Sequence, residues 1–452
     1  MRRELSLIQG DVKTTLLRFT LPFLAASLLQ FLYGAADLVI VGQFADAAGI
    51  AAVSTGSQVM QAVTGLVMGL ATGGTVLIGQ FTGAGRREDV SRTIGTMFTL
   101  FTLIALGLAL VCALGTKVLV GAMHVPEQAV APARQYLFIC SCGILFITGY
   151  NMVSAILRGM GDSRRPMYFV AIACVLNIFG DLLLVGVFKL GAAGAAAATV
   201  FAQGVSLLLS VRVLRGRDFP FDFKRASFRM SRALCAKLTA LGAPVALQNV
   251  LVSLSFLIIT SIVNGLGLPQ AAAVGAVERV IDFSMMGPIA FMSAISAMTA
   301  QNMGAGYPRR ARSALGYGIL FSLAFGAVLF SLCQLFPRAA IGLFTPDPEV
   351  IFHGALYLRS YSIDCLLVAF VFCLNGFFGG CGRTTFTMAN SLAATFLVRV
   401  PVVLLVSRMA GATMFHIGLA APAASILQIL LQLAYLKSGR WRHSVIDGGL
   451  QA

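Results

Sequence analysis

Gly79-Gln80-Phe81-Thr82-Gly83-Ala84-Gly85 recurs as Ala300-Gln301-Asn302-Met303-Gly304-Ala305-Gly306, 221 residues further along the chain. At the same offset Gly159-Met160-Gly161 returns as Gly380-Cys381-Gly382 and Met167 as Met388; with small drifts Pro22 pairs with Pro244 and Gly194 with Gly418. A repeat of this length makes the chain two copies of one unit. The runs around the motifs show what each copy is made of. Of 452 residues 58% are hydrophobic and 11% charged, with a mean hydropathy of +0.88, whereas a soluble domain carries about a quarter charged residues. Composition therefore excludes a soluble enzyme and implies a membrane protein.

Apolar windows bounded by Gly, Pro and basic clusters give spans at 16–41, 50–78, 94–114, 134–157, 167–188 and 192–212, then 238–263, 271–299, 315–336, 355–378, 387–407 and 416–436. These runs are about twice the ten or so alternating residues of a barrel strand, so the expected class is all-α with twelve transmembrane helices. The first run, 19–41, follows four basic residues but is too long for a signal peptide and lacks a small-residue cleavage site. Lys and Arg on the side of the N-terminus number 25, against six on the other side (Lys117, Arg134, Lys189, Arg338, Arg359, Arg408). By the positive-inside rule both termini are cytoplasmic, in a cytoplasmic (inner) membrane, and the +16 net charge reads as an orientation signal rather than a nucleic-acid footprint. The division expected is a six-helix bundle over 1–212, a cytoplasmic linker over 213–237 and a second six-helix bundle over 238–452. Six helices separate the copies of each motif, so both enter the membrane from the same side. The repeat is parallel, about an axis along the membrane normal, as in transporters that alternate access.

Chemistry-bearing clusters are few. Nine cysteines are scattered without C-x-x-C spacing, and His124, His353, His416 and His443 show no ligand spacing. No metal site, cofactor or enzymatic constellation is expected. Five acidic residues fall within spans: Asp37, Asp181, Glu278, Asp282 and Asp364. Each costs about 2.5–3.5 kcal/mol at a helix centre and so calls for a function or a partner. Asp37 lies fifteen residues after Pro22 with no basic residue beyond it in its span. Asn177 and Asp181 are four apart, hence on one helix face, and Thr199 on the sixth span adds a hydroxyl. Two carboxylates, an amide and a hydroxyl suit Na⁺, or a shared proton if the pair is too desolvated for both to ionise. The plain alternative is that Asn177 and Asp181 only bond helix to helix, or cap a span end.

The duplication supplies an internal control. Shifted by 221 to 222, Asp37 falls on Ile258 or Ile259, Asn177 on Val398 and Asp181 on Val402. Folding positions repeat and acidic ones do not, which points to a specialised N-terminal cluster. In the second half Glu278 and Asp282 are four apart beside Arg279, and Arg399 precedes Pro401. Ion pairing of these carboxylates with Arg279 or Arg399 is the economical reading, with substrate contact as the alternative. Asp364 reads equally as an interior group or as a helix-end residue that snorkels. Gly65, Gly69 and Gly73 recur every fourth residue, a spacing for close helix packing. Gly83-Ala84-Gly85 lacks the third glycine of a dinucleotide fingerprint.

Across essentially its whole length the chain resembles the multidrug and toxic compound extrusion (MATE) family. The resemblance rests on Pro22 with Asp37-Leu38-Val39-Ile40-Val41-Gly42, the doubled Gln/Gly-Ala-Gly loops, Leu157-Arg158-Gly159-Met160-Gly161-Asp162, and Asn177-x-x-x-Asp181 followed by Gly191-Ala192-Ala193-Gly194. It implies two pseudo-symmetric six-helix bundles forming a V around a central cavity, exporting organic cations and amphipathic drugs by alternating access in exchange for H⁺ or Na⁺. It implies cation coupling at Asp37, Asn177, Asp181 and Thr199, and substrate contacts at Gln30, Tyr33 and Asn151. Another branch of the family uses acidic residues on the seventh and tenth helices; here Val252 and Val368 stand there, with Asp364 one turn early. The implied partners are small-molecule drugs and the bilayer, with no nucleic acid, no cofactor beyond the coupling ion, and one chain acting alone. A lipid-linked precursor flippase of the same superfamily is the alternative; its anionic cargo calls for several arginines, and only Arg279 and Arg399 lie within spans.

Overall fold

The computed structural model describes residues 7–446 except His124, Arg217, Asp218 and Ala410, and leaves out the side chains of Leu38, Arg225 and Ala226. Arg2, Arg3 and His124, which entered the sequence reading, lie outside the described residues.

Twelve helical segments follow one another: α1 Val12–Phe44, α2 Ala47–Gly83, α3 Arg87–Ala122, α4 Glu127–Gly159, α5 Arg164–Val187, α6 Gly191–Leu214, α7 Arg232–Asn264, α8 Leu268–Gly304, α9 Pro308–Leu335, α10 in two pieces (Pro348–Tyr361 and Asp364–Gly380), α11 Thr384–Ser407 and α12 Met414–Ser438. Eleven are long and apolar enough to cross a membrane, or twelve with the bent pair taken as one span. No strand occurs among the described residues. This is the all-α membrane architecture expected.

The repeated motifs are helix terminators. At the end of α2 the N–H of Arg86 donates to the Phe81 carbonyl (3.0 Å) and that of Gly85 to Thr82 (3.1 Å), with Gly85 at φ +70°. The second copy ends α8 alike: Tyr307 donates to Asn302 (2.8 Å), Gly306 to Met303 (3.2 Å), and Gly306 has φ +77°. Gly161 after α4 and Gly382 after α10 form the same pair of bonds. This double closure satisfies carbonyls that a helix end leaves open, and it needs a left-handed residue that glycine supplies without strain.

The tenth span holds the one feature that the apolar pattern hides. Its two pieces meet at 46°, and no proline or glycine marks the break at Ser362 and Ile363. The Arg359 carbonyl there is taken instead by Gln334 Nε2 of α9 at 2.7 Å, and the same amide reaches Ser362 Oγ at 3.0 Å. The released backbone group is thus satisfied by a neighbouring helix, the condition for irregular backbone at membrane depth.

The described residues fall into two compact units, one comprising Ala25–Ala246 and the other residues 7–24 with Leu247 onward. The chain passes between them just after Pro22 in α1 and just after Pro244 in α7. The sequence division at 212 and 238 follows chain order; the units follow packing. In the first unit the start of α7 lies on α2. A Cβ on Gly73 would stand 2.6 Å from the Leu238 carbonyl oxygen, and one on Gly242 2.6 Å from that of Leu70. A Cβ on Gly69 would collide with the Ala246 backbone, whereas one on Gly65 would meet nothing within 4 Å. Small residues thus replace side-chain interdigitation with backbone contact. The linker packs on α3 in the same unit: Phe98 stacks on Phe221 with centroids 5.8 Å apart, and Thr99 Oγ1 donates to the Phe228 carbonyl at 2.6 Å.

In the second unit the start of α1 enters the core. Leu16 and Phe19 are fully buried among residues that include Ile295, Met298, Leu315 and Phe377. Asn302 Nδ2 donates to the Leu7 carbonyl at 3.1 Å and Arg310 Nη1 to that of Gly10 at 2.7 Å. The α8 and α10 backbones meet at Gly376, where a Cβ would collide with the Met292 carbonyl. Gly376→Ala is therefore expected to lower the thermal midpoint of purified protein, with an overpacking cost of about 1–3 kcal/mol. Gly107→Ala, where a Cβ meets nothing within 4 Å, is expected to leave it unchanged or raise it slightly. Equal midpoints for the two variants would refute the contact.

Candidate functional site

The first unit gathers four residues that the sequence singled out. Asn177 and Asp181 lie one turn apart on α5 and are 2% and 0% exposed. A close approach of α5 to α6 brings Thr199 opposite them: a Cβ on Gly180 would stand 2.9 Å from that of Ala198. With the Asn177 amide oxygen directed at Thr199, it accepts from Thr199 Oγ1 (3.2 Å) and the Thr199 N–H (3.2 Å), while its Nδ2 donates to Asp181 Oδ2 at 2.9 Å. That orientation is set by the network, since it alone gives both ends of the amide a complementary partner. Asp37 of α1 stands beside Asp181, and Tyr33, one turn before Asp37, lies close to Thr199 and to both carboxyl groups. The result is a cluster of polar groups from three helices.

Its electrostatics are lopsided. Neither carboxyl group is ion-paired among the described residues, whose ion pairs Arg86–Asp89, Arg92–Glu88, Arg165–Asp162 and Lys224–Asp222 sit at helix ends and in the linker. Asp37 Oδ1 and Asp181 Oδ1 are buried, and no N–H or hydroxyl donor among the described residues reaches them. A hydrogen bond between two carboxyl groups requires a proton on one of them, and like charges this close do not both ionise in a low-dielectric site. The arrangement can hold a proton between the two carboxyl groups.

A cavity of about 50 Å³ adjoins the network, lined by Gln30, Tyr33, Tyr150, Cys174, Asn177, Thr199 and Gln203 among others. A water needs roughly 10–15 Å³ on this measure, whereas drug-sized pockets run to about 300–1,000 Å³. This cavity therefore suits a few waters or an ion and is too small for a drug. Of the residues that the resemblance implicates in substrate contact, Gln30 and Tyr33 line it. Asn151 is 9% exposed with Nδ2 bonded to the Ile147 carbonyl of its own helix at 2.8 Å, and does not line it. Tyr150, Cys174 and Gln203 were not singled out from the sequence. Their signal was positional: Cys174 lies three residues before Asn177 and Gln203 four after Thr199, hence on the same helix faces.

The second unit corrects two expectations. No ion pair within 4.0 Å joins Glu278 or Asp282 to Arg279 or Arg399 among the described residues. Arg399 lies instead over the Phe256 ring, 4.2 Å from its centroid, and donates from Nη2 to the Tyr361 hydroxyl at 2.9 Å. Aromatic faces, which the charge pattern does not reveal, hold the guanidinium in place of a carboxylate. Asp364 does lie at a helix end, the first turn after the break in α10, but at 5% exposure it is buried rather than snorkelling, and it bonds Ser425.

Two six-helix sets with a buried, unneutralised carboxyl pair in one of them define a duplicated membrane transporter rather than an enzyme. The MatE family profile matches residues 22–183 and again 244–405, and the chain belongs to that family. The two matches start at the paired prolines, so they fall on the duplication read from the glycine motifs. Among curated proteins, the "Probable multidrug resistance protein YpnP" of Bacillus subtilis is 27% identical over 435 residues, 96% of this chain and 97% of its own. The "Probable multidrug resistance protein NorM" of Thermotoga maritima is 24% identical over 96% of this chain and 94% of its own. A solved outward-facing multidrug resistance MATE family transporter of the MOP superfamily has the same fold, with a TM-score of 0.90 at 20% identity over 97% of this chain and 98% of its own.

The polar chain can be tested on the protein alone. Thr199→Val keeps the shape of the side chain and removes the hydroxyl that serves Asn177. The Asn177 oxygen keeps the Thr199 N–H and loses one hydrogen bond, worth about 0.5–1.5 kcal/mol, so the thermal midpoint in detergent should fall, while Ser57→Ala, whose hydroxyl bonds an exposed carbonyl, should leave it in place. Identical midpoints for wild type and Thr199→Val would show that the hydrogen bond is not made.

Proposed function

We propose that this chain is a proton-coupled antiporter that exports organic cations and amphipathic drugs across the cytoplasmic membrane. Both termini are cytoplasmic in this reading, 213–237 is a cytoplasmic linker between duplicated halves, and one chain suffices. Family membership makes it a transporter; the single observation that carries the coupling is the juxtaposition of the Asp37 and Asp181 carboxyl groups, flanked by Asn177 and Thr199, with no ion pair to either among the described residues. The proton is favoured over Na⁺ because Asn177 offers Asp181 its N–H. A sodium ion among these oxygens would want the amide oxygen turned inward and both carboxylates ionised.

The cycle follows from charge. With one carboxylate ionised, the first unit holds an uncompensated negative charge at lipid depth, an attractive seat for a cationic drug and a costly one when empty. Protons arriving from outside reach Asp37 and Asp181 through the water-sized cavity past Gln30 and Tyr33. Neutralisation removes both the attraction for the drug and the cost of enclosing the pair. Drug and proton then favour different arrangements of the protein, the condition for coupling, since a ligand that binds both equally shifts nothing. Gln30, Tyr33 and Asn151 serve as substrate contacts in this scheme, Asn151 after release from its bond to Ile147. Arg279 and Arg399 are the arginines that the sequence places within spans, too few for a flippase of polyanionic lipid-linked precursors.

Asp37→Asn copies the protonated form with little change of shape. It is expected to abolish ethidium efflux from cells lacking their own exporters, with membrane levels of the protein unchanged. Wild-type drug resistance in that variant would refute the role of Asp37. Imposing a pH gradient on proteoliposomes in sodium-free buffer is expected to drive dye movement; dependence on added Na⁺ would replace the proton in this scheme.

A further inference from the structure

The segment between α6 and α7 is pinned to the side of α3 and carries basic residues that pair with nothing. Phe98 of α3 faces Phe221, Phe223 and Phe228, with ring centroids 5.8, 5.9 and 5.7 Å away. Thr99 Oγ1 donates to the Phe228 carbonyl at 2.6 Å, the Ser231 N–H donates to Thr96 Oγ1 at 3.3 Å, and a Cβ on Gly95 would collide with the Ser227 carbonyl. Counted from Arg87, the first residue of α3, Gly95 to Thr99 stand about 12–18 Å along the helix axis at 1.5 Å per residue. The apolar run 94–114 begins at that level. The segment therefore lies against α3 at the depth of the lipid headgroups instead of extending into water.

Residues 212–237 hold eight Lys and Arg against two Asp. Lys224 is taken by Asp222 at 2.7 Å, whereas Arg215, Arg229 and Arg232 are exposed and in no ion pair within 4.0 Å among the described residues. The rings hold two of them in place: Arg215 lies over Phe223, 5.4 Å from its centroid, and Arg229 directly follows the pinned Phe228. Met230, beside Arg229, is 46% exposed. The repeat shows whether the fold itself calls for these charges. At the offset of 221, Phe228 falls on Leu7, which is likewise packed into its unit, but Arg229 falls on Ile8 and Arg232 on Asp11. Asp11 serves its helix by accepting from the Thr14 N–H at 3.0 Å, whereas a positive charge at the start of α7 opposes the helix dipole. The packing residue repeats and the basic ones do not.

We propose that the surface formed by Arg215, Arg229, Met230 and Arg232 is a docking site of the first unit for an anionic phospholipid of the surrounding bilayer. The guanidinium groups take the headgroup phosphate, and Met230 meets the upper part of an acyl chain. Depth selects this partner, because a lipid phosphate stands at the level where the apolar run of α3 begins. Charge selects among lipids: a headgroup with phosphate and no ammonium leaves its negative charge to the arginines, each of which adds about fivefold in affinity near a membrane surface. The site is independent of the export reading. The rival role is an orientation signal used only on insertion, in which case the folded protein prefers no lipid.

The test is native mass spectrometry of the full chain, delipidated in detergent and given equal amounts of dioleoyl phosphatidylglycerol and dioleoyl phosphatidylcholine. Wild type is expected to retain the glycerol lipid about tenfold over the choline lipid. The triple variant Arg215→Gln, Arg229→Gln, Arg232→Gln is expected to lose most of that preference. A control triple in the second unit, Arg309→Gln, Arg312→Gln, Arg440→Gln, removes the same charge from exposed arginines and is expected to keep it. No preference in wild type, a preference that survives in the first triple, or an equal loss in both triples overturns the proposal. If the first triple does not accumulate, wild type alone decides. A phosphatidylglycerol with a photoactivatable headgroup is expected to label residues 212–232 or the facing turns of α3, and labelling confined to the rest of the chain overturns the proposal. Lipid has access to both ends of the protein in these experiments, so the result does not depend on which side the termini face.

Discussion

A pair of carboxyl groups set side by side among membrane-spanning helices, with no ion pair to either among the described residues, is the constraint around which the first unit is arranged. Water would solvate such a pair and lipid does not, so its neighbours must supply every partner it has. Asn177 and Thr199 do this from α5 and α6, and the close approach of those helices at Gly180 and Ala198 sets the separation at which the amide spans from one to the other.

The backbone path adds a second consequence. Asp37 lies on the part of α1 that belongs to the first unit, while Phe19 of the same helix is buried in the core of the second. The switch between them comes just after Pro22, whose ring removes one intrahelical hydrogen bond and loosens the helix there. In α7 the corresponding passage follows Pro244, and the start of that helix lies against α2 through Gly69, Gly73 and Gly242. Each unit is therefore completed by the opening turns of a helix whose remainder belongs to the other. The helix that bears Asp37 is one of the two that do this, which makes α1 the covalent route from the carboxyl pair to the second unit.

Most of this was legible in the sequence because it depends on period and spacing. Twelve apolar runs, the 221-residue repeat and the four-residue separation of Asn177 and Asp181 are properties of the chain that geometry can only express one way. The glycine motifs were legible as a repeat but not as Schellman caps, since only the φ values and paired bonds at Gly85 and Gly306 show what the glycines do. The bend in α10 left no trace, because the residue that stabilises it, Gln334, sits on another helix. Arg399 was misread for a related reason. Charges pair readily on paper with charges, whereas the partners here are Phe256, a hundred and forty-odd residues away in sequence, and a tyrosine hydroxyl. Contacts made by aromatic faces have no complementary sign to search for.

Magnitudes bound how a carboxyl pair of this kind drives a transporter. An ionised carboxylate at a helix centre costs about 2.5–3.5 kcal/mol on insertion scales, so neutralising one changes an equilibrium by at most roughly a few hundredfold. Reversing a population from 1:99 to 99:1 takes about 5.5 kcal/mol, whereas moving from 1:10 to 10:1 takes about half of that. One proton therefore suffices only if the two arrangements of the empty protein lie within an order of magnitude of each other. If the intrinsic bias is larger, the second carboxyl group must take part, and a pair rather than a single acid becomes necessary.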